Sequence, residues 1–394
     1  MPDLLSIDEA LALVLARVRP LEAESVPVAQ AAGRVLREEA RAAVDLPPFP
    51  SSAMDGYAVR AADTPGRLPV VDRIAAGRPA AGPLGPGEAM GIATGGMVPD
   101  GADAVVPIEV VGELDNQIEV STVVAGAHVR PAGGDVRAGA RMLGTGVELG
   151  PAQLGAAAAG GVAELRCARR PRAAVLSTGT ELRRPGEALG SGEIYESNST
   201  MLAAALASAG AEVELLDSVA DDADAHRTAL ERGLAGNVLV SSGGVSVGPH
   251  DLVRSIAREL GVEEVFWRVA VKPGKPVAFG VRGDTLVFGL PGNPVSALVG
   301  FELFVRPALR ALQGAEPGPL YLSGRLESSL RRSDARDELV RARSSIHDGE
   351  YLLEPLSGQE SHMIVRAAGA NALVLVPRGE GELGTGESVR FLAI

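Results

Sequence analysis

The sequence predicts a multi-domain α/β protein. A mostly parallel three-layer α/β domain is expected, with a β-rich domain inserted on a helical stem and a small β-barrel-like domain at the C-terminus. Three observations predict this. Strand and helix patterns alternate from residue 172 to about 316, which implies right-handed βαβ crossovers. Residues 25–142 carry Gly, Pro and short alternating apolar runs instead. After Pro317 helical periodicity stops. The 394 residues suffice for several domains at roughly 150 residues each. The boundaries drawn are 1–24 with 143–171 for the stem, 25–142, 172–316 and 317–394.

In chain order, Ser6 and Glu9 form a capping box ahead of a helix over 6–19 that sets Leu11, Val14, Leu15 and Val18 on one face. Ala104–Ile108 and Gln117–Val120 read as short strands. Gly150-Pro151 opens an Ala-rich helix ending near Gly160-Gly161, placed to pair with the first helix in a stem. Strands then fall at Ala173–Leu176, Val213–Leu216, Val238–Val240 and Val265–Val271. Helices fall at 198–209, 222–234 and 251–260. Val277–Val281 and Leu286–Phe288 form a hairpin turned at Gly283-Asp284. A helix over Pro294–Val305 is kinked or ended near Pro307. The tail reads as strands at Glu338–Ser344, Tyr351–Leu356, Met363–Ala367, Ala372–Val376 and Ser388–Leu392.

Composition excludes several classes. Apolar residues make up 46% and charged residues 22%, a globular balance. A net charge of −13 argues against nucleic-acid and anionic-membrane partners. No apolar run is long enough for a membrane span. The N-terminus carries Asp8 and Glu9 in place of the basic start of a secretory signal, so a cytoplasmic protein is expected. The single cysteine, Cys167, builds neither an internal disulfide nor a thiolate zinc site. Of 37 basic residues only two, Lys272 and Lys275, are lysines, and they sit three positions apart in Val-Lys-Pro-Gly-Lys-Pro. A chain this biased toward Arg keeps Lys where a compact point charge is needed.

Four Gly-bearing loops follow four strands of the α/β segment: Ser177–Glu181, Ser241–Gly248, Lys272–Pro276 and Leu290–Pro294. In a parallel sheet the strand ends line one edge, where ligands bind. Glycines admit close backbone approach, and helix N-termini attract phosphate. With both lysines at that edge, the loops describe an anion pocket for a phosphorylated ligand. No G-x-x-x-x-G-K-[ST] and no G-x-G-x-x-G occurs, so neither a P-loop nor a dinucleotide site is expected. Glu181, Asp221, Asp222 and Asp251 accompany the loops, and carboxylates beside phosphate point to Mg²⁺. Helix capping accounts equally for Asp251, and Asp221 or Asp222 caps the helix after them on the same reading. Asn293 before Pro294 reads as an N-cap.

The inserted segment has its own cluster. Ser52–Ala58 reads S-x-M-D-G-Y-A, Thr94–Val106 reads T-G-x-x-x-P-x-G-A-D-A-V-V, and Arg130–Asp135 reads R-P-x-G-x-D. The α/β segment follows with S-T-G-x-E-L from Ser177, I-Y-x-x-N from Ile194, S-S-G-G-V-S-V-G-x-x-D from Ser241, K-P-G-K-P from Lys272 and L-P-G-N-P-V-S from Leu290. These eight ordered motifs resemble the MoeA family of molybdopterin molybdenumtransferases, which is similar also to the C-terminal domain of gephyrin. The stem and the β tail extend the resemblance over the whole chain.

The resemblance implies insertion of molybdate into adenylylated molybdopterin with release of AMP, assisted by Mg²⁺. It implies a homodimer whose cleft lies between the α/β domain of one subunit and the inserted domain of the other. It also implies contact with the preceding adenylyltransferase and with molybdoenzyme-maturation proteins. Matching motif positions imply catalytic roles for Lys272, Lys275, Asp251 and Asp55. Substrate binding falls to Thr94, Ser242, Gly243, Gly244, Ser246, Gly248, Pro291, Pro294, Ser296 and Asp135. Metal binding falls to Glu181, Asp221 and Asp251. Three positions depart from the family pattern. Gly96 stands for Ala, Gly134 stands where Glu is frequent, and Glu196 stands where Asp is usual and is given no role. The adenylyltransferase itself resembles only the 172–316 unit, so the additional domains weigh against that activity. A purely scaffolding role finds no partner domain or long linker here.

Overall fold

The computed structural model describes residues 4–216, 222–244 and 252–394. The chain divides into two compact units. One holds residues 25–32 and 38–166. The other holds residues up to 24, 33–37 and 167–394. The segments grouped as a stem therefore fall in different units: 1–24 lies with the α/β sheet, and 143–166 lies with the inserted β segment.

The β unit is built on a six-stranded sheet in the order 104–107, 56–59, 89–92, 66–74, 117–120 and 112–114. The strand Gly56–Val59 is buried on both faces. Tyr57 and Val59 enter one apolar cluster, and Ala58 enters another with Ile74, Met90 and Val105. Alternating side chains of a strand point to opposite faces, so a doubly buried strand reads as an apolar run. Gly56 is required there because a Cβ would lie 2.0 Å from the Val106 carbonyl oxygen.

The other unit carries a mixed six-stranded sheet in the order 212–215, 172–177, 238–242, 285–290, 278–282 and 263–267. The first four strands run parallel. The expected hairpin is present, with Ala278–Arg282 antiparallel to Thr285–Leu290. The first helix, Ile7–Leu15, has the expected capping box: Glu9 N–H donates to Ser6 Oγ at 3.2 Å, and Ser6 N–H donates to Glu9 Oε2 at 2.8 Å. Its buried Ile7, Leu11 and Val14 join the same core as Phe301, Leu309, Leu339 and Leu373. Burying each such side chain stabilises the unit by about 1.5–3 kcal/mol. Asp222 caps the helix Ala223–Gly233 through the Ala225 N–H at 2.8 Å, as the capping reading allowed.

Three elements differ from expectation, each for a physical reason. The helix from Pro294 does not end near Pro307. A π-helical turn over Phe301–Val305, just ahead of Pro307, interrupts its α pattern and carries it on to Leu312. The strand expected over Val265–Val271 breaks at Arg268, which takes φ +81°; ladder pairing stops at Trp267 and resumes at Val271. Met363–Ala367 is not a strand. Ile364–Ala367 forms a helical turn, drawn in by Arg341. That guanidinium is 1% exposed and donates to the carbonyl oxygens of Gly358, Glu360 and Met363.

The C-terminal domain closes as a five-stranded barrel. Strand 337–347 pairs with both 350–355 and 372–376, and 322–326 and 388–393 complete the ring. Closure leaves no free edge among these strands.

Candidate active site

Register brings distant motifs to one level. Ser177 pairs with Ser242, and Ser242 pairs with Leu290. The loops after these strands therefore leave the sheet side by side at its C-terminal edge. They enclose a cleft of about 600 Å³. Thr178, Glu181, Asn198, Ser242 to Gly244, Pro276 and Pro291 to Pro294 form part of its wall. That volume suits one small-molecule ligand.

Each wall residue is held by neighbours. Ser177 Oγ donates to Glu196 Oε1 at 3.0 Å and lies 2.7 Å from Ser199 Oγ. Glu196 also accepts from the Ser199 N–H at 2.8 Å, so this 9% exposed carboxylate secures the start of helix Asn198–Ser208. Asn198 donates through Nδ2 to Ser242 Oγ and to the Gly292 carbonyl, both at 2.7 Å. Those bonds fix the amide orientation and leave Oδ1 buried with no partner. It is the one such side-chain atom among the described residues. An unpaired buried acceptor costs about 1–3 kcal/mol, which a ligand donor would return.

Gly243 has φ +88°, and a Cβ on it would lie 2.9 Å from the Thr178 carbonyl oxygen. Gly243→Ala is therefore expected to cost about 1–3 kcal/mol and to spread the 178 and 243 loops. Chemical denaturation and ligand titration of that variant check this; unchanged values in both would refute the close-approach argument.

The C-terminal domain supplies part of the wall through His362 and Ile364. Asn293 does not cap its helix with its side chain. Its Nδ2 donates to Ser361 Oγ at 2.9 Å, and the Val295 N–H donates to the Ser361 carbonyl at 3.1 Å. The helix N-terminus expected to receive phosphate is thus met by a backbone oxygen of this chain.

The two lysines differ. Lys272 pairs in register with Glu338 of the barrel, with Nζ 3.0 Å from Oε1. Lys275 is exposed, forms no ion pair among the described residues, and precedes Pro276 in the cleft wall. Ser296 is 4% exposed inside its helix and does not line the cleft. Glu181 does line it, with its side chain exposed. Asp221, Ser246, Gly248 and Asp251 lie outside the described residues. Among the described residues no three acidic, His or Cys side chains cluster as a metal site.

In the β unit the three motifs converge. Ser51–Ser52 pairs with Val129–Arg130, and Ser52 exchanges backbone bonds with Gly95 and Gly96. Asp55 Oδ1 accepts from the Thr94 N–H at 2.6 Å and from Thr94 Oγ1 at 2.9 Å. The backbone bond first, then the hydroxyl, holds the Asp55 carboxyl below the usual aspartate range. Thr94→Val is expected to move that pKa upward but not fully, because the backbone N–H stays. Carboxyl NMR titration checks the direction; a fall or no change would refute it. Asp135 is exposed, and its N–H donates to the Leu46 carbonyl at 2.9 Å.

Sequence reasoning missed Asn198, Arg341, Ser361 and His362, and gave Glu196 no role. Asn198 closes the I-Y-x-x-N motif and carried a signal. The other three sit in a barrel segment with no motif.

Comparison with known proteins places this geometry. Residues 5–161 match the MoeA N-terminal region (domain I and II). Residues 174–311 match a probable molybdopterin binding domain, and residues 323–394 match the MoeA C-terminal region (domain IV). The chain is 39% identical over 402 residues to molybdopterin molybdenumtransferase 2 of Mycobacterium tuberculosis, covering 98% of both. It is 33% identical over 395 residues to the molybdopterin molybdenumtransferase of Haemophilus influenzae, again over 98% of both. The crystal structure of a molybdopterin biosynthesis MoeA protein from Pyrococcus horikoshii superposes with a TM-score of 0.82 at 32% identity, over 99% of each chain.

Proposed function

Because this chain belongs to the MoeA family of molybdopterin molybdenumtransferases and acts in molybdenum cofactor biosynthesis, we propose that its cleft takes adenylylated molybdopterin and molybdate and releases AMP. The observation that carries this reading is the single level of Ser177, Ser242 and Leu290. It sets hydroxyls, glycine amides and the Lys275 loop around one ligand-sized space. The buried Asn198 Oδ1 supports it further, since a pterin offers amide and amino donors for such an acceptor.

Each residue then has a task. Ser242, Gly243 and Gly244 line the substrate, with Ser246 and Gly248 on the same loop. Pro291 and Pro294 shape the wall. Lys275 stabilises negative charge that develops on phosphate or molybdate oxygens. Lys272, bonded to Glu338, joins it when an anion competes for its ammonium. Asp251 acts with them. Ser296 supports its helix from within.

Mg²⁺ fits the donor chemistry, because the hard oxygens of Glu181 and the neighbouring hydroxyls are its preferred ligands. Glu181, Asp221 and Asp251 would hold it. When bound it neutralises charge on the phosphate oxygens. The reading further includes a homodimer in which Asp55, Thr94 and Asp135 of a second copy face this cleft. It also includes contact with the adenylyltransferase and maturation proteins, and a cytoplasmic setting. No helix among the described residues is long and apolar enough to cross a membrane.

Reconstitution tests the proposal. Purified protein, adenylylated molybdopterin, Mg²⁺ and molybdate are expected to give molybdate-dependent AMP release with molybdenum bound to the pterin in equal amount. Pterin binding with neither AMP release nor metal loading would overturn it. Sedimentation velocity checks the dimer.

A further inference from the structure

Aromatic side chains are scarce in this chain, which has one Trp, four Tyr and seven Phe. Such rings carry a large apolar surface and are normally spent on the core. Here the rest are buried or half-buried, and Tyr195, at 46%, is the one exposed aromatic side chain among the described residues. It is also the one Phe, Tyr or Trp in the described wall of the cleft.

The exposure is not slack. Leu182–Arg183 pairs in parallel with Ile194–Tyr195. The Ile194 N–H donates to the Glu181 carbonyl at 2.9 Å, and the Glu196 N–H donates to the Arg183 carbonyl at 2.8 Å, so the backbone is bonded on both sides of Tyr195. Glu196 is in turn anchored on Ser177 and on the Ser199 N–H. At the far end of the ring, the phenol O–H donates to the Glu187 carbonyl at 2.9 Å. Backbone and hydroxyl are both fixed, and what stays open is the surface of the ring. With its O–H engaged, the side chain offers a ligand that surface and no donor.

The neighbours are apolar as well. Ile194 is 54% exposed and lines the same cleft, together with Pro276 and Pro291. The cleft therefore joins two kinds of surface: the hydroxyls and glycine amides of the 242–244 loop, which suit phosphate oxygens, and an apolar stretch with one tethered aromatic ring, which does not.

We propose that Tyr195 is a binding residue for the ring of the ligand, stacking offset on a flat nitrogen heterocycle. Every such ring presents a π face, so stacking on an aromatic side chain holds it without reading its edge. The tether removes most of the side-chain freedom before binding, so little is lost when the ring arrives. Adenine and pterin share this chemistry. The inference deepens the proposed function and rests on it for the ligand's identity.

The full chain is titrated calorimetrically with AMP, with ribose 5-phosphate, which lacks the ring, and with neopterin. The wild-type chain is expected to bind AMP more tightly than ribose 5-phosphate, or to bind neopterin. Tyr195→Leu, which keeps apolar volume without the π face, is expected to weaken the ring-bearing ligand by about tenfold or more and to leave ribose 5-phosphate unchanged. Tyr195→Phe should keep most of the affinity, because the ring remains. The melting temperature of Tyr195→Leu should hold, since the residue is exposed. Loss with AMP alone assigns the adenine to Tyr195, loss with neopterin alone assigns the pterin, and loss with both shows a face that takes either. Three results overturn the proposal: no ring-dependent binding by the wild-type chain, wild-type affinities in Tyr195→Leu, or an equal loss for ribose 5-phosphate. Molybdenum loading by the wild-type chain is measured in parallel. If loading succeeds and Tyr195→Leu binds both rings normally, only the stacking fails; if the wild-type chain binds a ring but loads no molybdenum, the proposed function fails by itself.

Discussion

Lys275→Ala is expected to lower AMP release and molybdenum loading by about 100-fold or more, the cost of removing one positioned electrostatic group from a charge-developing transition state. Stability should hardly move. Lys275 is exposed and has no ion pair among the described residues, and such surface changes usually stay within about 0.5 kcal/mol. Lys272→Ala should separate from it, since it also leaves Glu338, at 17% side-chain exposure, without its partner. Steady-state AMP release with thermal denaturation of both variants is the measurement. Full activity of Lys275→Ala would remove the lysine from the chemistry.

Arg341→Met is expected to do the opposite, destabilising the fold first and emptying part of the cleft wall as a consequence. The methionine keeps apolar volume but gives no donor to the carbonyls of Gly358, Glu360 and Met363, nor to Gln359 Oε1. Each carbonyl left buried costs about 1–3 kcal/mol, although a loop that opens to water recovers part of it. A net loss of at least about 2 kcal/mol should follow, read as a fall of roughly 4–8 °C in melting temperature for a unit of this size. With the 358–363 turn released, His362 and Ile364 lose their place in the wall, and pterin affinity should fall with the melting temperature. A variant that melts and binds like the parent would show that the turn holds itself.

These variants mark the limit of what the chain's letters disclose. Elements carried by local signals were legible. The capping box at Ser6 and Glu9, the Asp222 cap and the hairpin at Gly283-Asp284 all formed where short-range chemistry placed them. Met363–Ala367 was misread because β-branched Ile364 and Val365 favour a strand, while the turn there is imposed by a guanidinium more than twenty residues earlier in the chain. Val265–Val271 was read as one strand because nothing in its apolar pattern announces a left-handed Arg268.

By itself the sequence determined the family, through eight ordered motifs, and the α/β alternation that puts their loops at one sheet edge. It also singled out two lysines in a chain of arginines. Only the tertiary structure decided which lysine has an ion pair among the described residues, since the pairing of Lys272 with Glu338 depends on how the barrel strand meets the Lys loop. Only it showed that Ser361 covers a helix start and that, among the described residues, Asn198 Oδ1 lacks a donor. The physical reason is range. Caps, turns and periodicity are settled within a few residues of chain, whereas the balance of a charge or a hydrogen bond is settled by whatever the fold brings alongside it.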